Sequence, residues 1–316
     1  MKNNILIIDG EIKNKTIALI VPTLNAGDSW SHWLALLSSQ SLTADHVLII
    51  DSSSGDNTAA LAQKFGHEVL TISREEFNHG TTRQLAANRF PDADIIVYMT
   101  QDALLANENA LNNLIAAFDD PQTGAAYGRQ LPHKDARPIG AHARLYNYSD
   151  VSAVRSASDI PRLGLKVSFL SNSFSAYRRS ALMEVGGFPE NNIFGEDAFV
   201  ASKMILAGWK IAYRADAQVH HSHDYSITQD FKRYFDIGVF HAREPWLRSE
   251  FGGAESEGKK FVISELKFLL KSAPYLIPSA VMRTGFKYLG YKLGLQEKKL
   301  PVSLKYRLSM HKRFWL

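Results

Sequence analysis

Between Asp94 and Ala103 five apolar residues, Ile95 to Met99, run without alternation and give way to Thr100, Gln101 and Asp102. A short run of this kind, rich in β-branched side chains, predicts a strand buried on both faces of a parallel sheet. Ile17–Pro22, Val47–Asp51 and Val69–Ile72 repeat the pattern. Helical spacings lie between them. Trp30, Trp33, Leu34 and Leu37 share one face of a helix that Asp28 is placed to cap, Thr58–Phe65 forms a second, and Asn78 opens a third that runs to about Arg89. Strand–helix alternation over the first 100 residues predicts an α/β fold, a mostly parallel Rossmann-like sheet flanked by helices.

The periodicity weakens in the middle of the chain. Leu104–Phe118 reads as a helix, Gly124–Gly128 as a short strand, and the polar, Arg- and Tyr-bearing stretch Leu131–Ile160 as a mobile loop over the site. Val167–Tyr177 alternates enough to predict a strand. Helices follow over Arg179–Val185 and Glu196–Leu206, the second ending near Gly208, and then a strand over Lys210–Arg214. From about Thr228 the pattern is helical, which divides the chain into residues 1–227 and a C-terminal helical region, 228–316. In Lys260–Lys271 one broad face carries Phe261, Val262, Leu266, Leu269 and Leu270, and packing on its own domain is expected of it.

Composition narrows the class. With 45% hydrophobic and 22% charged residues the chain reads as globular, and 316 residues suffice for one large domain with an appendage. The absence of cysteine excludes disulfides, thiolate metal sites and thiol nucleophiles. The first 14 residues hold only a four-residue apolar run, too short for a signal-peptide core, and no stretch approaches the roughly 18 apolar residues of a membrane span. A cytoplasmic protein is expected. Charge is uneven: from Arg283 to Arg313 nine basic residues face one acid, Glu297, a balance of +8 against +4 for the whole chain, so the remainder carries −4. Tyr275, Phe286, Tyr288, Tyr291, Phe314 and Trp315 are interleaved with that charge. This mixture suits an anionic membrane surface, and no nucleic-acid motif accompanies it.

Asp51 and Asp102 each end a predicted parallel strand, which puts both at the carboxyl edge of the sheet, where open α/β folds bind ligands. No Gly-x-Gly-x-x-Gly joins the first strand to its helix. The pattern therefore points to a nucleotide site of another kind, with a carboxylate at its metal end.

The set Val21-Pro22-Thr23-Leu24-Asn25, Asp51 to Thr58 (DSSSGDNT), Gln101-Asp102-Ala103 and Gly195-Glu196-Asp197 resembles glycosyltransferase family 2, inverting enzymes of the GT-A fold, over residues 16–225. Within it, Phe77-Asn78-His79-Gly80 with Arg83, the QDA triplet and His221-Ser222-His223 resemble the bacterial rhamnosyltransferases. The resemblance implies that Pro22, Thr23, Asn25 and Asp51 hold the nucleoside, with Asp51 accepting from the base N3–H. It puts Asn78, His79, Arg83, Gln101, Asp102 and His221 on the donor side, His221 at the diphosphate. Gln84 stands where an asparagine commonly follows the arginine. Asp102 matches the last carboxylate of the family's Asp-x-Asp metal motif. The first position is Gln101, a poor ligand for a hard cation, so the diphosphate is expected to supply much of the coordination.

Asp197 matches the family's catalytic base, since an inverting transfer is one in-line displacement in which a carboxylate takes the acceptor proton. Two histidines at strand spacing share a face, and His223 is expected to complete a Mg2+ or Mn2+ site with Asp102. Asn172, Ser173, Gly187 and Glu196 match the acceptor side. The implied donor is dTDP-β-L-rhamnose and the product an α-L-rhamnoside on a lipid-linked saccharide in O-antigen or related surface-polysaccharide synthesis. The enzyme would then lie on the inner face of the inner membrane through its C-terminal region. Three alternatives compete: a family 2 enzyme for a UDP- or GDP-linked sugar, a nucleotidyltransferase, and a sugar-binding module on a degenerate GT-A fold. The nucleotidyltransferase needs a glycine-rich basic loop where Thr23–Asp28 offers only Gly27, and Asp102 with Asp197 argues against the binding module.

Overall fold

The structure is a computed structural model that describes residues 5–8, 11–252 and 255–316, so residues 1–4 of the predicted first unit lie outside it. A hairpin of β1 (Ile5–Ile8) and β2 (Glu11–Asn14) precedes the main body. The alternating half follows: β3 (Ile17–Thr23), α1 (Trp30–Ser38), β4 (His46–Asp51), α2 (Thr58–Lys64), β5 (Glu68–Thr71), α3 (His79–Arg89) and β6 (Ile95–Met99). Next come β7 (Leu104–Leu105), α4 (Ala110–Ile115), β8 (Thr123–Leu131), α5 (Pro138–Asn147), β9 (Ala153–Arg155), α6 (Ile160–Leu163), β10 (Phe174–Arg178), α7 (Arg179–Glu184), α8 (Glu196–Leu206) and β11 (Lys210–His220). The chain ends in α9 (Ile227–Arg243), α10 (Pro245–Phe251), α11 (Glu255–Ser272), α12 (Ile277–Gly294) and α13 (Val302–Leu308).

The main sheet has the order β5-β4-β3-β6-β10-β8-β11-β7, with β9 on β11. β3 to β6 are mutually parallel, β10 is antiparallel to both β6 and β8, and β11 runs parallel to β8. One edge of the sheet therefore collects the carboxyl ends of β3, β4, β6, β8 and β11 and the amino end of β10. Alternate residues of each strand go to opposite faces. Ile17, Leu19 and Val21 pack with Trp30, Trp33 and Leu34 of α1 and Leu111 of α4. Ala18 and Ile20 pack with Ala86 of α3, Val200 of α8 and Phe235 of α9.

Several elements differ from the sequence expectation. Leu104–Phe118 is a two-residue strand, a turn, α4 and a 3-10 turn, because Leu104 and Leu105 pair with His220 and Val219 of β11. Leu131–Ile160 is not a mobile loop. It holds α5, which packs on α11, and β9, which pairs with Ile211–Tyr213. Only the end of Val167–Tyr177 is a strand, since Gly164–Ser168 forms a 3-10 turn, and β11 continues to His220, well past Arg214. Asp28 does not cap α1, whose first turn is closed by Trp30 N–H donating to the Gly27 carbonyl at 3.2 Å.

The C-terminal helices are not a separate skin. Arg283 and Lys287 meet buried Asp230 at 2.6 and 3.8 Å, and Lys305 meets buried Glu297 at 2.6 Å. Phe314 and Trp315 turn inward over the Arg243 guanidinium. Much of the basic-aromatic character expected to face a membrane is thus spent inside. α11 packs on its own domain as its pattern predicted, with Leu269 buried and Phe261 on His142 of α5, but Phe268 joins that face while Leu270, expected on it, is 62% exposed. No helix among the described residues is long and apolar enough to cross a membrane.

Candidate active site

Three groups of side chains gather at this edge. The first lies at the ends of β3 and β4. Asp51 is buried, and its carboxylate accepts from Thr23 Oγ1 at 3.2 Å, Ser54 Oγ at 2.5 Å and Ser54 N at 2.9 Å. Pro22 and Thr23 close β3. Asn25 takes a positive φ of 46°, which asparagine tolerates, and its Oδ1 accepts from Gly55 N at 2.8 Å. Gln101 ties this loop to β6 through both of its amide atoms. Nε2 donates to the Leu24 carbonyl at 3.1 Å and Leu24 N–H donates to Oε1 at 2.8 Å. An aspartate there lacks the donor and the reach for that clamp, which gives a physical reason for the neutral residue.

The second group is Asp102 with His221 and His223. One possible ligand atom from each lies within 4.8 Å of the others, and His221 and His223 Nε2 stand 3.4 and 3.9 Å from Asp102 Oδ2. Loss of water pushes the Asp102 carboxyl up, but the hydrogen bond and charge of His221, helped by Thr100 and His223, hold it well below the ordinary carboxylate value. Burial, with His221 beside it, lowers His223 to about 4, so its imidazole is neutral at pH 7. Sequence reasoning missed the residue that orients His221. Gln130 Oε1 accepts from Arg144 Nη1 at 2.8 Å while its Nε2 donates to Ser171 Oγ at 3.0 Å, which fixes the amide. The same Oε1 lies 2.8 Å from His221 Nδ1, so Nδ1 carries the proton. His221 therefore turns its Nε2 toward the Asp102 carboxylate. A carboxylate and two imidazoles converging on one point, one of them backed by an amide that fixes its ring, are a donor set that fits a divalent cation, which would take the place of the proton on Nε2.

The third group surrounds Asp197. Glu196 and Asp197 open α8 behind Gly195, which has φ +76° and so starts the helix from a left-handed residue. Glu196 is buried and pairs with buried Arg83 at 3.0 Å, and Asn172 Nδ2 donates to Glu196 Oε1 at 3.0 Å. Asp197 accepts from Asn172 N at 3.3 Å and from Ala198 N at 2.8 Å. Burial, then the neighbouring Glu196 charge, raises its pKa from 3.8 to about 7. Burial alone would raise Glu196, but Arg83, together with His79 and the Asn172 amide, outweighs it and holds that carboxyl low. Adjacent carboxyls are driven apart, one a stable anion and the other poised near neutrality, the arrangement expected of a general base.

The remaining predicted residues fall around this third group. Asn78 caps α3, accepting from Gly80 N at 2.9 Å, and His79 lies against Arg83, whose Nη1 also donates to the His79 carbonyl at 2.9 Å. Among the described residues neither Asn78 nor His79 is hydrogen-bonded to the Asp51 loop. Both line a cleft of about 310 Å3 together with Met310, His311 and Phe314 from the chain's end. Ser173 gives its carbonyl to Thr100 N at 3.3 Å, beside Asp102. Gly187 has φ +70°, and Gln84 Oε1 accepts from Phe188 N next to it at 2.8 Å, a contact that occupies Gln84. Arg233 of α9 also escaped the sequence reading. Its guanidinium lies over the Phe194 and Tyr225 rings, and Tyr225 stacks on His223.

Known proteins extend the picture. Residues 18–186 match the Glycosyl transferase family 2 profile. The O-antigen chain rhamnosyltransferase RfbN of Salmonella typhimurium is 50% identical over 300 residues, 95% of this chain and 96% of that protein. The O-antigen chain rhamnosyltransferase WbaN of Salmonella anatum is 48% identical over 95% of this chain and 96% of its own length. Among solved structures, a Pyrobaculum calidifontis mannosyltransferase in complex with GDP-Man and Mn2+ superposes with a TM-score of 0.55 at 18% identity, over 95% of this chain and 84% of that one. At that identity it shares the fold.

Proposed function

The chain belongs to glycosyltransferase family 2, and from that premise we propose that it moves L-rhamnose from dTDP-β-L-rhamnose, with inversion, to a saccharide hydroxyl in O-antigen or related surface-polysaccharide synthesis. One observation carries the sugar assignment: two proteins of nearly full-length likeness are both named O-antigen chain rhamnosyltransferases. The chemistry rests on Asp197. Its carboxylate takes the acceptor proton as the acceptor oxygen bonds to the anomeric carbon, and the anomeric C–O bond breaks with its electron pair leaving on dTDP. Glu196 and Arg83 tune that base, and His79 supports Arg83. In this reading Asn78, His79 and Arg83 act through Asp197 rather than by touching the nucleotide.

Pro22, Thr23, Asn25 and Asp51 receive the nucleoside, with Gln101 holding their loop. Asp102 and His223 would hold a Mg2+ or Mn2+ ion, with His221 turned to the same point and to the diphosphate. Such an ion, when bound, would supply positive charge against the departing diphosphate. Asn172, Ser173, Gly187 and Glu196 shape the acceptor side, and the acceptor is lipid-linked, which brings the enzyme to the cytoplasmic face of the inner membrane. Binding of dTDP-rhamnose, UDP-GlcNAc and GDP-mannose, each with Mg2+, Mn2+ and chelator, tests the assignment. Preference for dTDP-rhamnose that weakens in chelator is expected. Preference for another donor discards the rhamnosyl assignment and leaves the base and the fold in place.

A further inference from the structure

α12 is built inside out. Its first three turns carry two charged residues, Arg283 and Lys287, and both point inward to Asp230 of α9 with side chains only 17% exposed. Glycines let the two backbones close on each other: a Cβ on Gly290 would overlap the Phe231 carbonyl and one on Gly294 the Phe235 carbonyl. The outer side is apolar instead. Val281, Met282, Phe286, Tyr288 and Leu289 are 58, 48, 42, 64 and 49% exposed. Their spacing of three, four and seven residues makes them one continuous stripe. Single exposed apolar residues are ordinary, but a helix that buries its cations and exposes such a stripe implies a partner for it.

The surrounding charge says which partner. From residue 258 to 316 the chain has thirteen basic side chains and two acidic ones, Glu265 and Glu297. Both acids are buried, so among the described residues this stretch exposes no side-chain carboxylate. Lysines flank the stripe at both ends. Lys271 and 77%-exposed Tyr275 precede it, and Lys292, Lys298 and Lys299 follow it, all five residues solvent-facing. A second copy docking face to face would bring like charges together. Apolar centre, lysine ends and an aromatic at the rim match the headgroup region of an anionic bilayer, where lysine stems reach to phosphates.

We infer that the outer face of α12 docks on an anionic lipid surface, with Val281, Met282, Phe286 and Leu289 entering the headgroup–acyl boundary. This deepens the lipid-linked acceptor reading by naming the face that meets the lipid. It also joins that face to the site, because Arg283 Nη1 donates to the Tyr225 carbonyl at 2.6 Å and Tyr225 stacks on His223. Lipid contact on one side of α12 thus lies one side chain away from the segment that carries the second histidine.

The test needs neither donor nor acceptor. Full-length protein is sedimented with phosphatidylcholine vesicles with and without phosphatidylglycerol, at low and high salt. Partition onto the anionic vesicles, weakened by salt, is expected. Val281→Ser/Met282→Ser/Leu289→Ser, which spares Phe286 and its contact with the Phe231 ring, should lower it about 100-fold by removing three apolar contacts. Lys298→Gln/Lys299→Gln should lower it about 10-fold at low salt. Both variants should keep the wild-type melting temperature and transfer to a short water-soluble acceptor. The inference is overturned if the triple variant sediments like wild type, or if neutral vesicles bind as well regardless of salt. It is equally overturned if the wild type is a dimer that ignores vesicles and the triple variant is its monomer. Vesicle binding with this pattern in a protein that transfers no rhamnose would uphold the docking face and sink the sugar assignment alone.

Discussion

Replacing Glu196 with glutamine removes the negative charge that, after burial, does most to raise Asp197 to about 7. For unit charges about 6–8 Å apart at an effective dielectric of about 20, Coulomb's law gives about 2–3 kcal/mol, or about 1.5–2 pH units. Arg83, left without its partner at 3.0 Å, acts in the same direction. The acidic limb of the transfer rate should therefore move down by at least about 1.5 units. Wild-type enzyme at pH 6 should run at about a tenth of its plateau, and the variant close to its own plateau. That plateau should be severalfold lower, because a weaker base accepts the proton less well. The assay is the initial rate of dTDP release from dTDP-rhamnose at saturating acceptor across pH 5–9. Breaking a buried ion pair costs about 3–5 kcal/mol, so folding is checked by circular dichroism at each pH. Glu196→Gln/Arg83→Gln, which removes both charges, serves as the control and should shift the limb less. A limb that stays put in Glu196→Gln refutes the claim that this charge sets the base, and an Asp197→Asn enzyme at wild-type rate refutes the base itself.

Gln130→Ala takes away the acceptor that fixes the His221 tautomer, and should raise the Mn2+ concentration for half-maximal turnover about 10–100-fold while leaving binding of free nucleoside unchanged. Gly187→Ala combines a φ of +70° with a Cβ that would overlap Gln84 Oε1, so it should destabilise by about 1–3 kcal/mol, read by thermal or urea unfolding. Asp236 is buried, which raises its pKa from 3.8 to about 6, and it accepts from Met310 and His311 N–H at 2.9 and 3.1 Å. Folded protein thus holds that proton more tightly than unfolded chain, and this contribution to stability is full below 3.8 and is lost as pH rises through about 6. Asp236→Asn keeps the accepting oxygen and should flatten the melting-temperature curve across that window, and an unchanged slope would show that Asp236 does not titrate there.

The parallel half was legible because its signals are local. Runs such as Ile95–Met99 and Ile17–Val21 are buried on both faces and bounded by turn chemistry, so each announces its strand without help from elsewhere. Residues 131–160 fail for the opposite reason. β9 is three residues long and exists through its pairing with β11, and α5 rests on α11, where His142 Nε2 lies 3.0 Å from Ser264 Oγ across 122 residues. Propensity within the segment carries no trace of either partner. The site divides in the same way. Asp51 and Asp102 lie at or just beyond strand ends that the pattern marks, whereas the strand expected over Lys210–Arg214 runs on to His220 and delivers the two histidines at an end that the pattern did not mark. Gln130 reaches His221 only because the β11–β8 register slips between Arg214 and Gln218, which brings His220 opposite Leu131. A bulge of that kind leaves no periodic signal.

The C-terminal helices show why a deletion would mislead where a substitution informs. Read as a sequence, residues 228–316 look like an anchor attached to a finished enzyme. In the fold, α9 supplies Arg233 to the ring stack behind His223 and Asp236 to the backbone of residues 310 and 311, and α12 holds the Tyr225 carbonyl through Arg283. His311 then returns to within 5.2 Å of the His79 ring, behind Arg83 and Glu196. Removing the tail would strip support from the metal end and the base together with any lipid contact, so lost activity in a truncated chain would not separate anchoring from catalysis. The exposed stripe of α12 can be altered without touching any of these contacts. The inferred lipid docking and sugar transfer would therefore be separable by substitution on one helix face, and inseparable by cutting the chain.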